Sequence, residues 1–169
     1  MEILDVYNEK RQRTGRTHIR GNPVKKGDYI LVVHVWILND KDEFLIQKRQ
    51  PWKKLWPGMW DCAVAGAALV GDDSAGAAVR EAKEELDVDL DIDNGHVLFT
   101  DKFSFGFDDI WIVKQNLDIS SLKLQQEEVA QVKWASEKEI REMAAEDKFV
   151  EYYYLDKLFK MIFVKQKNR

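Results

Sequence analysis

Residues 66–88 constrain the fold and the chemistry of this chain more than any other segment. They read G-A-A-L-V-G-D-D-S-A-G-A-A-V-R-E-A-K-E-E-L-D-V. On a helix, Glu81, Glu84 and Glu85 are spaced i, i+3 and i+4, so their carboxylates share one face. Clustered carboxylates repel each other unless a positive charge lies among them, and hard divalent cations prefer such oxygen ligands. The segment therefore predicts metal-assisted chemistry on a phosphate or diphosphate.

The same segment resembles the Nudix box, whose pattern is G-x5-E-x7-R-E-U-x-E-E-x-G-U, with U apolar. The matching residues are Gly66, Arg80, Glu81, Ala82, Glu84, Glu85 and Val88. Two positions differ, because Asp72 replaces the first glutamate and Asp87 replaces the late glycine. In the family that glutamate mainly supports the helix. The glycine ends the helix in a left-handed conformation, which aspartate adopts less easily than glycine.

An alternative interpretation of this helix is a solvated, charged face. Runs such as R-E-A-K-E-E are usually solvent-exposed and carry i, i+4 ion pairs of the Arg80–Glu84 kind. The upstream Gly66 at the expected distance favours the box, because glycine, charged and apolar positions agree together.

The resemblance implies a Mg²⁺ or Mn²⁺ cofactor. The implied metal ligands are the main-chain carbonyl of Gly66 and the carboxylates of Glu81, Glu84 and Glu85. One of these glutamates, or a glutamate from a later loop, would take the proton from the attacking water, and Arg80 would orient them. We choose Glu128 as the later glutamate, and a solvated Glu127–Glu128 pair before a strand is the equal alternative.

The implied substrate is a small diphosphate compound, most naturally a nucleoside diphosphate derivative. Arg49 ends the run F-L-I-Q-K-R and is expected to meet phosphate or the box carboxylates, with an ordinary surface cation as the alternative. In the following loop, Trp52, Lys53 and Trp56 are expected to bind substrate by stacking on a base and reaching phosphate. Tryptophan is more often a core residue, so only one or two should touch the ligand.

The segment around K-K-L-W-P-G-M-W also resembles type 1 isopentenyl-diphosphate isomerase. An ungapped count from Trp60 places the isomerase's cysteine and nearby histidine at Ala65 and Ala67. Its two earlier histidine ligands fall at Pro23 and Ile30. Cys62 is three residues from Ala65, so on a continuous strand it would face the other way. The chain is therefore predicted to be a hydrolase. An isomerase-like enzyme and a non-catalytic Nudix ligand-binding module remain the alternatives.

The hydrophobic pattern predicts an α/β (α+β) fold. The predicted strands are 3–7, 14–19, 29–38, 43–49, 60–69, 97–107, 109–115 and 129–134. The predicted helices are 74–86, with a buried stripe of Ala75, Ala78, Ala82 and Leu86, then 137–145 and 150–165. The resemblance implies a Nudix-type α/β/α sandwich with a mixed central sheet. We expect a single domain over 1–169, with an extension or hairpin in 1–27 and the Nudix fold in 28–165.

Bulk properties exclude several other function classes. The net charge of −4 does not favour binding of nucleic acid polymers. The single cysteine excludes an internal disulfide. Neither a signal peptide nor a run long enough to span a membrane is present, so we expect a cytoplasmic protein without a membrane partner. Members of the family are often dimers, and a homodimer is compatible with the sequence.

Overall fold

The computed structural model describes residues 1–167, in which nine β-strands and three α-helices form. The strands are β1 (Ile3–Tyr7), β2 (Arg13–Ile19), β3 (Ile30–Leu38), β4 (Glu43–Arg49), β5 (Trp60–Asp61), β6 (Val64–Ala67), β7 (Gly95–Phe103), β8 (Gly106–Lys114) and β9 (Val129–Ser136). The helices are α1 (Ser74–Leu86), α2 (Glu137–Ala145) and α3 (Leu155–Lys167).

Strand β3 lies at the centre of a mixed seven-stranded sheet. It runs parallel to β8 and antiparallel to β4 and β6. Strand β7 continues the sheet beyond β8, while β4 also pairs with β5 and β9. The predicted mixed central sheet is confirmed.

Helices cover both faces of this sheet. Successive side chains of a strand point to opposite faces, and β3 is apolar on both. Val33 and Val35 join the hydrophobic cluster that contains the apolar side of α1. Trp36 and Leu38 join a second cluster with residues of α2 and α3. This arrangement confirms the α/β/α sandwich. No helix within residues 1–167 is long and apolar enough to cross a membrane.

Helix α1 begins and ends at aspartates. Asp73 is the N-cap, and its side chain accepts a hydrogen bond from the Gly76 amide at 2.7 Å. Asp87 ends the helix with φ 55° and ψ 35°, the left-handed conformation that glycine adopts in the box pattern. Its carboxylate lies 2.8 Å from Lys83 Nζ. Asp87 therefore takes the place of the glycine without changing how the helix ends.

The buried side of α1 differs slightly from the predicted stripe. Ala78, Ala82 and Leu86 are fully buried as expected, while Ala75 is only partly buried. Glu81 and Glu85 are also buried, which the apolar stripe did not include. Two of the three box carboxylates of this helix therefore point into the protein and are shielded from solvent.

The N-terminal segment forms a hairpin, in which β1 and β2 pair antiparallel. Main-chain hydrogen bonds join it to the rest of the fold. Tyr7 exchanges two with Tyr29, at 2.8 and 3.0 Å, and the Val70 amide donates to the Ile3 carbonyl at 2.9 Å. The hairpin therefore lies against the loop that precedes α1.

The predicted strand over residues 60–69 is wrong as a single element. The chain leaves the sheet at Cys62 and Ala63, so β5 and β6 are separate strands. Because of this break, Cys62 belongs to the same hydrophobic cluster that Ala65 packs against. The expectation that these two residues point to opposite faces rested on uninterrupted alternation, which the break removes.

Most other boundaries agree with the predictions to within two residues, and the larger differences lie at the β7–β8 turn and at the start of α3. The β7–β8 turn falls at residues 104–105, before Gly106, because Gly106 already pairs with Phe103 in the sheet. Helix α3 begins at Leu155 rather than at 150. Helix α2 has its predicted bounds, and Ser136 and Glu139 form a capping box at its start.

Candidate functional site

The acidic face of α1 opens into a cavity of about 380 Å³. The residues that line it are Glu2, Arg20, Arg49, Lys53, Ala65, Glu81, Glu84, Glu85, Gln125 and Glu128. The fold thus brings together most of the predicted site residues from α1, from the loop after β4 and from the segment before β9. The lining is almost entirely polar, and cations and carboxylates share it.

Arg80 connects the carboxylates of the box to the loop before α1. Its Nε lies 2.9 Å from Asp72 Oδ2, and its Nη1 lies 3.1 Å from Glu81 Oε1 and 3.2 Å from Glu84 Oε2. Its Nη2 donates to the Ala67 carbonyl at 2.9 Å. The shorter Asp72 therefore still reaches the arginine that holds the two glutamates.

Gly66 makes room for the Glu81 carboxylate. A Cβ atom at this position of β6 would lie 2.1 Å from Glu81 Oε1 and 2.2 Å from its Cδ. These distances are far inside van der Waals contact, so the glycine is required where the carboxylate sits. Its place in the box has a steric reason in this chain.

Burial raises the pKa of both inward-facing glutamates. The pKa of Glu81 rises above its usual range because the carboxyl is buried, although Arg80 opposes the shift. Burial raises the pKa of Glu85 to about 8, against the hydrogen bond that Gln47 Nε2 donates to Oε2 at 2.7 Å. The protein thus holds carboxylates where their negative charge is poorly solvated.

The donor set fits a hard divalent cation. The cavity offers four α1 and loop carboxylates, Glu81, Glu84, Glu85 and Glu128, and no sulfur or imidazole ligand. Within residues 1–167, no three acidic, histidine or cysteine side chains are already arranged around one point as a metal site. Glu81 faces Arg80, and Glu85 faces Gln47. Each of these contacts involves one of the two carboxylate oxygens.

Arg49 and Lys53 provide positive charge to the same cavity. Arg49 Nη1 lies 3.2 Å from Asp61 Oδ2, and its Nε donates to the Leu55 carbonyl at 3.1 Å. These contacts hold a guanidinium whose side chain is only 19% exposed. Lys53 Nζ forms an ion pair with Glu128 Oε2. Glu128 is therefore a paired residue of the cavity wall, not a freely solvated carboxylate before β9.

Trp52 and Trp56 have different positions in the loop after β4. A neighbouring cavity of about 490 Å³ is lined by Arg20, Arg49, Trp52, Lys53, Lys54, Leu55, Glu127 and Glu128. Trp52 is 66% exposed there, and its Nε1 donates to the Glu127 carbonyl at 3.3 Å. Trp56 sits in a left-handed turn with φ 47° and lines neither of these two cavities. The geometry supports a binding surface at Trp52 and gives none at Trp56.

A larger cavity of about 680 Å³ lies elsewhere, beside α2 and Phe163. Four of its charged side chains form ion pairs along α2: Arg141 Nε lies 2.8 Å from Glu137 Oε1, and Lys138 Nζ lies 3.7 Å from Glu142 Oε1. It is lined by none of the predicted site residues. We therefore assign the candidate site to the smaller, polar cavity.

Sequence reasoning missed several residues of the site. Arg20 and Glu2 line the cavity, yet no local motif marks them, because the hairpin reaches α1 only through tertiary packing. Gln47 was detectable in principle, since a polar residue follows F-L-I in a buried strand and is 5% exposed. His34 of β3 does not line this cavity, and its Nδ1 lies 2.9 Å from both Asp108 Oδ2 and the Tyr154 hydroxyl.

Comparison with known proteins agrees with this geometry. The family model described as the NUDIX domain matches residues 28–158. An uncharacterised Nudix hydrolase of Listeria innocua is 43% identical over 161 residues, covering 95% of each chain. The fold is similar to a crystal structure from Deinococcus radiodurans, with a TM-score of 0.77, 22% identity, and coverage of 95% of this chain and 99% of that one.

The similarity to the isomerase is confined to a short segment. An isopentenyl-diphosphate Δ-isomerase of Escherichia coli is 36% identical over 55 residues, which cover 32% of this chain and 30% of the isomerase. The NUDIX domain match, by contrast, spans most of the chain, and the Listeria relative aligns over nearly all of it. The chain therefore belongs to the Nudix hydrolase family.

Proposed function

We propose that this protein is a metal-dependent hydrolase that cleaves a diphosphate linkage in a small nucleoside diphosphate derivative or a related compound. The observation that carries the proposal is the composition of the cavity at α1. It combines box carboxylates on one side with Arg49 and Lys53 on another. A diphosphate held by a divalent cation needs both kinds of charge around it.

Glu81, Glu85 and Glu84 would hold the Mg²⁺ or Mn²⁺ ion, together with the Gly66 carbonyl. Such an ion, when bound, neutralises phosphate charge and makes water easier to deprotonate. Arg80 would act as a positioning residue, because it contacts Glu81 and Glu84 and is itself held by Asp72 and the Ala67 carbonyl.

Two glutamates remain as candidates for accepting the proton of the attacking water. Glu84 keeps half of its side chain exposed at the cavity, and its only charged contact here is Arg80 at 3.2 Å. Glu128 lies in the same lining and would first have to release Lys53. Both are carboxylates that line the cavity, and a general base must lie within reach of the water that it deprotonates.

Arg49 and Lys53 would bind the phosphates of the substrate, and Trp52 would contact the remaining part. Arginine matches phosphate oxygens with paired N–H donors, and Asp61 already fixes its orientation. The exposed Trp52 ring lines the adjacent cavity, which shares Arg49 and Lys53 with the acidic one. Trp56 has no place in this arrangement.

An isomerase-like reaction has less support. Ala65 lines the cavity at the position that the sequence count gives to the isomerase's cysteine, and a methyl group cannot donate or accept a proton. Cys62 cannot replace it, because it is fully buried and its thiol contacts the Val64 carbonyl at 3.3 Å.

The deciding experiment is a panel of nucleoside diphosphate derivatives with Mg²⁺ or Mn²⁺, in which diphosphate cleavage is followed by product separation. Isopentenyl diphosphate belongs in the panel, with detection of its dimethylallyl isomer. The Glu85→Gln protein serves as the control for contaminating activity. Cleavage that depends on Glu85 and on the metal supports the proposal. Isomerisation that survives Cys62→Ala would support the isomerase instead, and tight binding without turnover would support a ligand-binding module.

A further inference from the structure

We infer that the N-terminal hairpin is part of the substrate site, and that Arg20 binds a phosphate group of the substrate together with Arg49. This inference deepens the proposed function and rests on it. Arg20 lies outside residues 28–158, which match the family model. It nevertheless lines both the acidic cavity and the neighbouring cavity that contains Trp52.

One end of the hairpin is fixed to the loop that carries Asp72. The Val70 amide donates to the Ile3 carbonyl at 2.9 Å, and the Gly71 amide donates to Asp5 Oδ2 at 3.0 Å. Arg13, which lies at the turn end of the hairpin, donates a further hydrogen bond to the Asp72 carbonyl. Since Asp72 also binds Arg80, the hairpin and the acidic face of α1 are attached to the same few residues.

The opposite end of the hairpin is fixed to the sheet. In the turn between β1 and β2, Arg11 forms an ion pair with Asp109, a residue of β8 that is 1% exposed. Thr100 Oγ1 donates to the same carboxylate at 2.6 Å. Because the hairpin is held at both ends, Arg20 has a defined position and is not part of a flexible terminal segment.

The side chain of Arg20 pairs with an exposed partner. Its Nη1 lies 2.5 Å from Glu2 Oε2, and the two side chains are 49% and 42% exposed. Ion pairs this exposed contribute little to stability, so the pair does not explain the residue as a structural element. A phosphate group offers the guanidinium a stronger, paired set of acceptors and can replace Glu2.

The positions of the cations define where this phosphate lies. Arg20, Arg49 and Lys53 all belong to both cavities, so positive charge collects where the acidic cavity meets the Trp52 cavity. One phosphate of a diphosphate would lie beside the metal ion that the box carboxylates hold. The other phosphate would lie between these cations. The rest of the molecule would then extend over Trp52. The sequence of carboxylates, cations and tryptophan along the two cavities favours substrates in which a diphosphate carries a flat or apolar group at one end.

The test compares Arg20→Ala with Arg16→Ala. Arg16 lies in β2, which ends directly before Arg20, and it pairs with Asp28 at 2.7 Å and lines neither cavity. Binding of methylene diphosphonate with Mg²⁺ is measured by calorimetry, and KM and kcat are measured for the best substrate of the panel. We expect Arg20→Ala to weaken binding about 10-fold and to raise KM more than it lowers kcat. Arg16→Ala should match the wild type, and Arg20→Lys should recover part of the affinity.

A second variant tests the inference without removing Arg20. Glu2→Gln removes the acidic competitor and should tighten methylene diphosphonate binding by about 2-fold or more, an effect that must disappear when Arg20→Ala is added. Unchanged affinity and KM in Arg20→Ala, or tightening that persists in the double variant, would overturn the inference while leaving the hydrolase proposal intact. Arg20-dependent binding in a protein that cleaves nothing would instead refute the hydrolase proposal alone.

Discussion

Gly66 lies so close to the Glu81 carboxylate that a side chain at position 66 would overlap with it. A Cβ atom on Gly66 would lie 2.1 Å from Glu81 Oε1, and the glycine's backbone is part of the regular pairing of β6 with β3. The atom that it would meet is the far end of a flexible side chain. The clash can therefore be relieved by moving the carboxylate, and the sheet need not move.

Gly66→Ala should consequently abolish activity at a small cost in stability. We expect a loss of at least about 10²-fold in kcat/KM, because the Glu81 carboxylate must leave its position beside Arg80. The free energy of unfolding should fall by only about 1–2 kcal/mol, at the low end for an overpacked site. Kinetics and urea denaturation measure the two effects.

The matched control is Gly95→Ala. A Cβ atom at Gly95 would lie 2.6 Å from Val113 Cγ2, in the packed start of β7 and away from the cavity. This variant should lose stability and keep its activity per folded molecule. If Gly66→Ala keeps full activity as well, the position of the Glu81 carboxylate does not matter for the reaction.

Glu85→Gln should remove activity and, in the metal-free protein, improve stability at alkaline pH. Burial raises the pKa of Glu85 to about 8 from an ordinary 4.5. Because the folded value is the higher one, the stabilising contribution of the protonated form is present below about pH 4.5 and is lost as the pH rises toward 8. Glutamine carries no such charge, so this loss is absent from the variant.

Thermal unfolding in chelator at about pH 5 and about pH 9 tests that expectation. The variant should unfold at roughly the same temperature as the wild type at the lower pH and roughly 5 °C higher at the upper one. Its activity with Mg²⁺ should be at least about 10²-fold lower. Equal pH dependence of the two proteins would show that Glu85 does not carry an unfavourable buried charge.

Arg11→Ala should destabilise the protein at neutral pH and much less in acid. Burial alone would raise the pKa of Asp109, but hydrogen bonds from Arg11, Ser74 and Thr100 outweigh it and lower the pKa. A lowered folded pKa contributes stability above the unfolded value of 3.8, and this stability is lost as the pH falls through the folded value. Without Arg11, a charge on a residue that is 1% exposed loses its partner.

We expect a loss of about 2 kcal/mol at neutral pH, because Arg11 is partly exposed and a fully buried pair would lose about 3–5 kcal/mol. Urea denaturation at about pH 7 and about pH 3 measures the change. Arg16→Ala, which breaks the more exposed pair with Asp28, should cost less than about 1 kcal/mol. A similar loss in the free energy of unfolding for both variants would show that the buried Asp109 does not depend on Arg11 more than the exposed pairs depend on their partners.

The positions of the box residues were predictable because their pattern is local. Arg80, Glu81, Glu84 and Glu85 lie on one helix, and helical spacing fixes which of them share a face. Asp72 lies eight residues from Arg80 and still pairs with it, because the loop before α1 is short. Periodicity also sufficed for β3, whose two apolar faces make it a central strand.

What could not be predicted depends on contacts between distant segments. Arg20 reaches the cavity because the Val70 and Gly71 amides donate hydrogen bonds to the hairpin, which no spacing rule reveals. The break at Cys62 is a second case, since apolar residues continue through it and give no turn signal. In both cases tertiary packing, and not local preference, decides the position of the side chain.

The final prediction separates the two tryptophans of the loop after β4. Trp52→Ala should raise KM for a base-containing substrate about 10-fold, since stacking on an aromatic ring is worth about 1–3 kcal/mol per base. Binding of methylene diphosphonate, which has no base, should not change. Because Trp52 is 66% exposed, the thermal midpoint should also stay within about 2 °C of the wild-type value.

Trp56→Ala is the control, because Trp56 is 45% exposed in the same loop but lines neither cavity. An unchanged KM in Trp52→Ala, or an equal rise in Trp56→Ala, would show that the substrate does not extend over Trp52 and would leave only the phosphate part of the site.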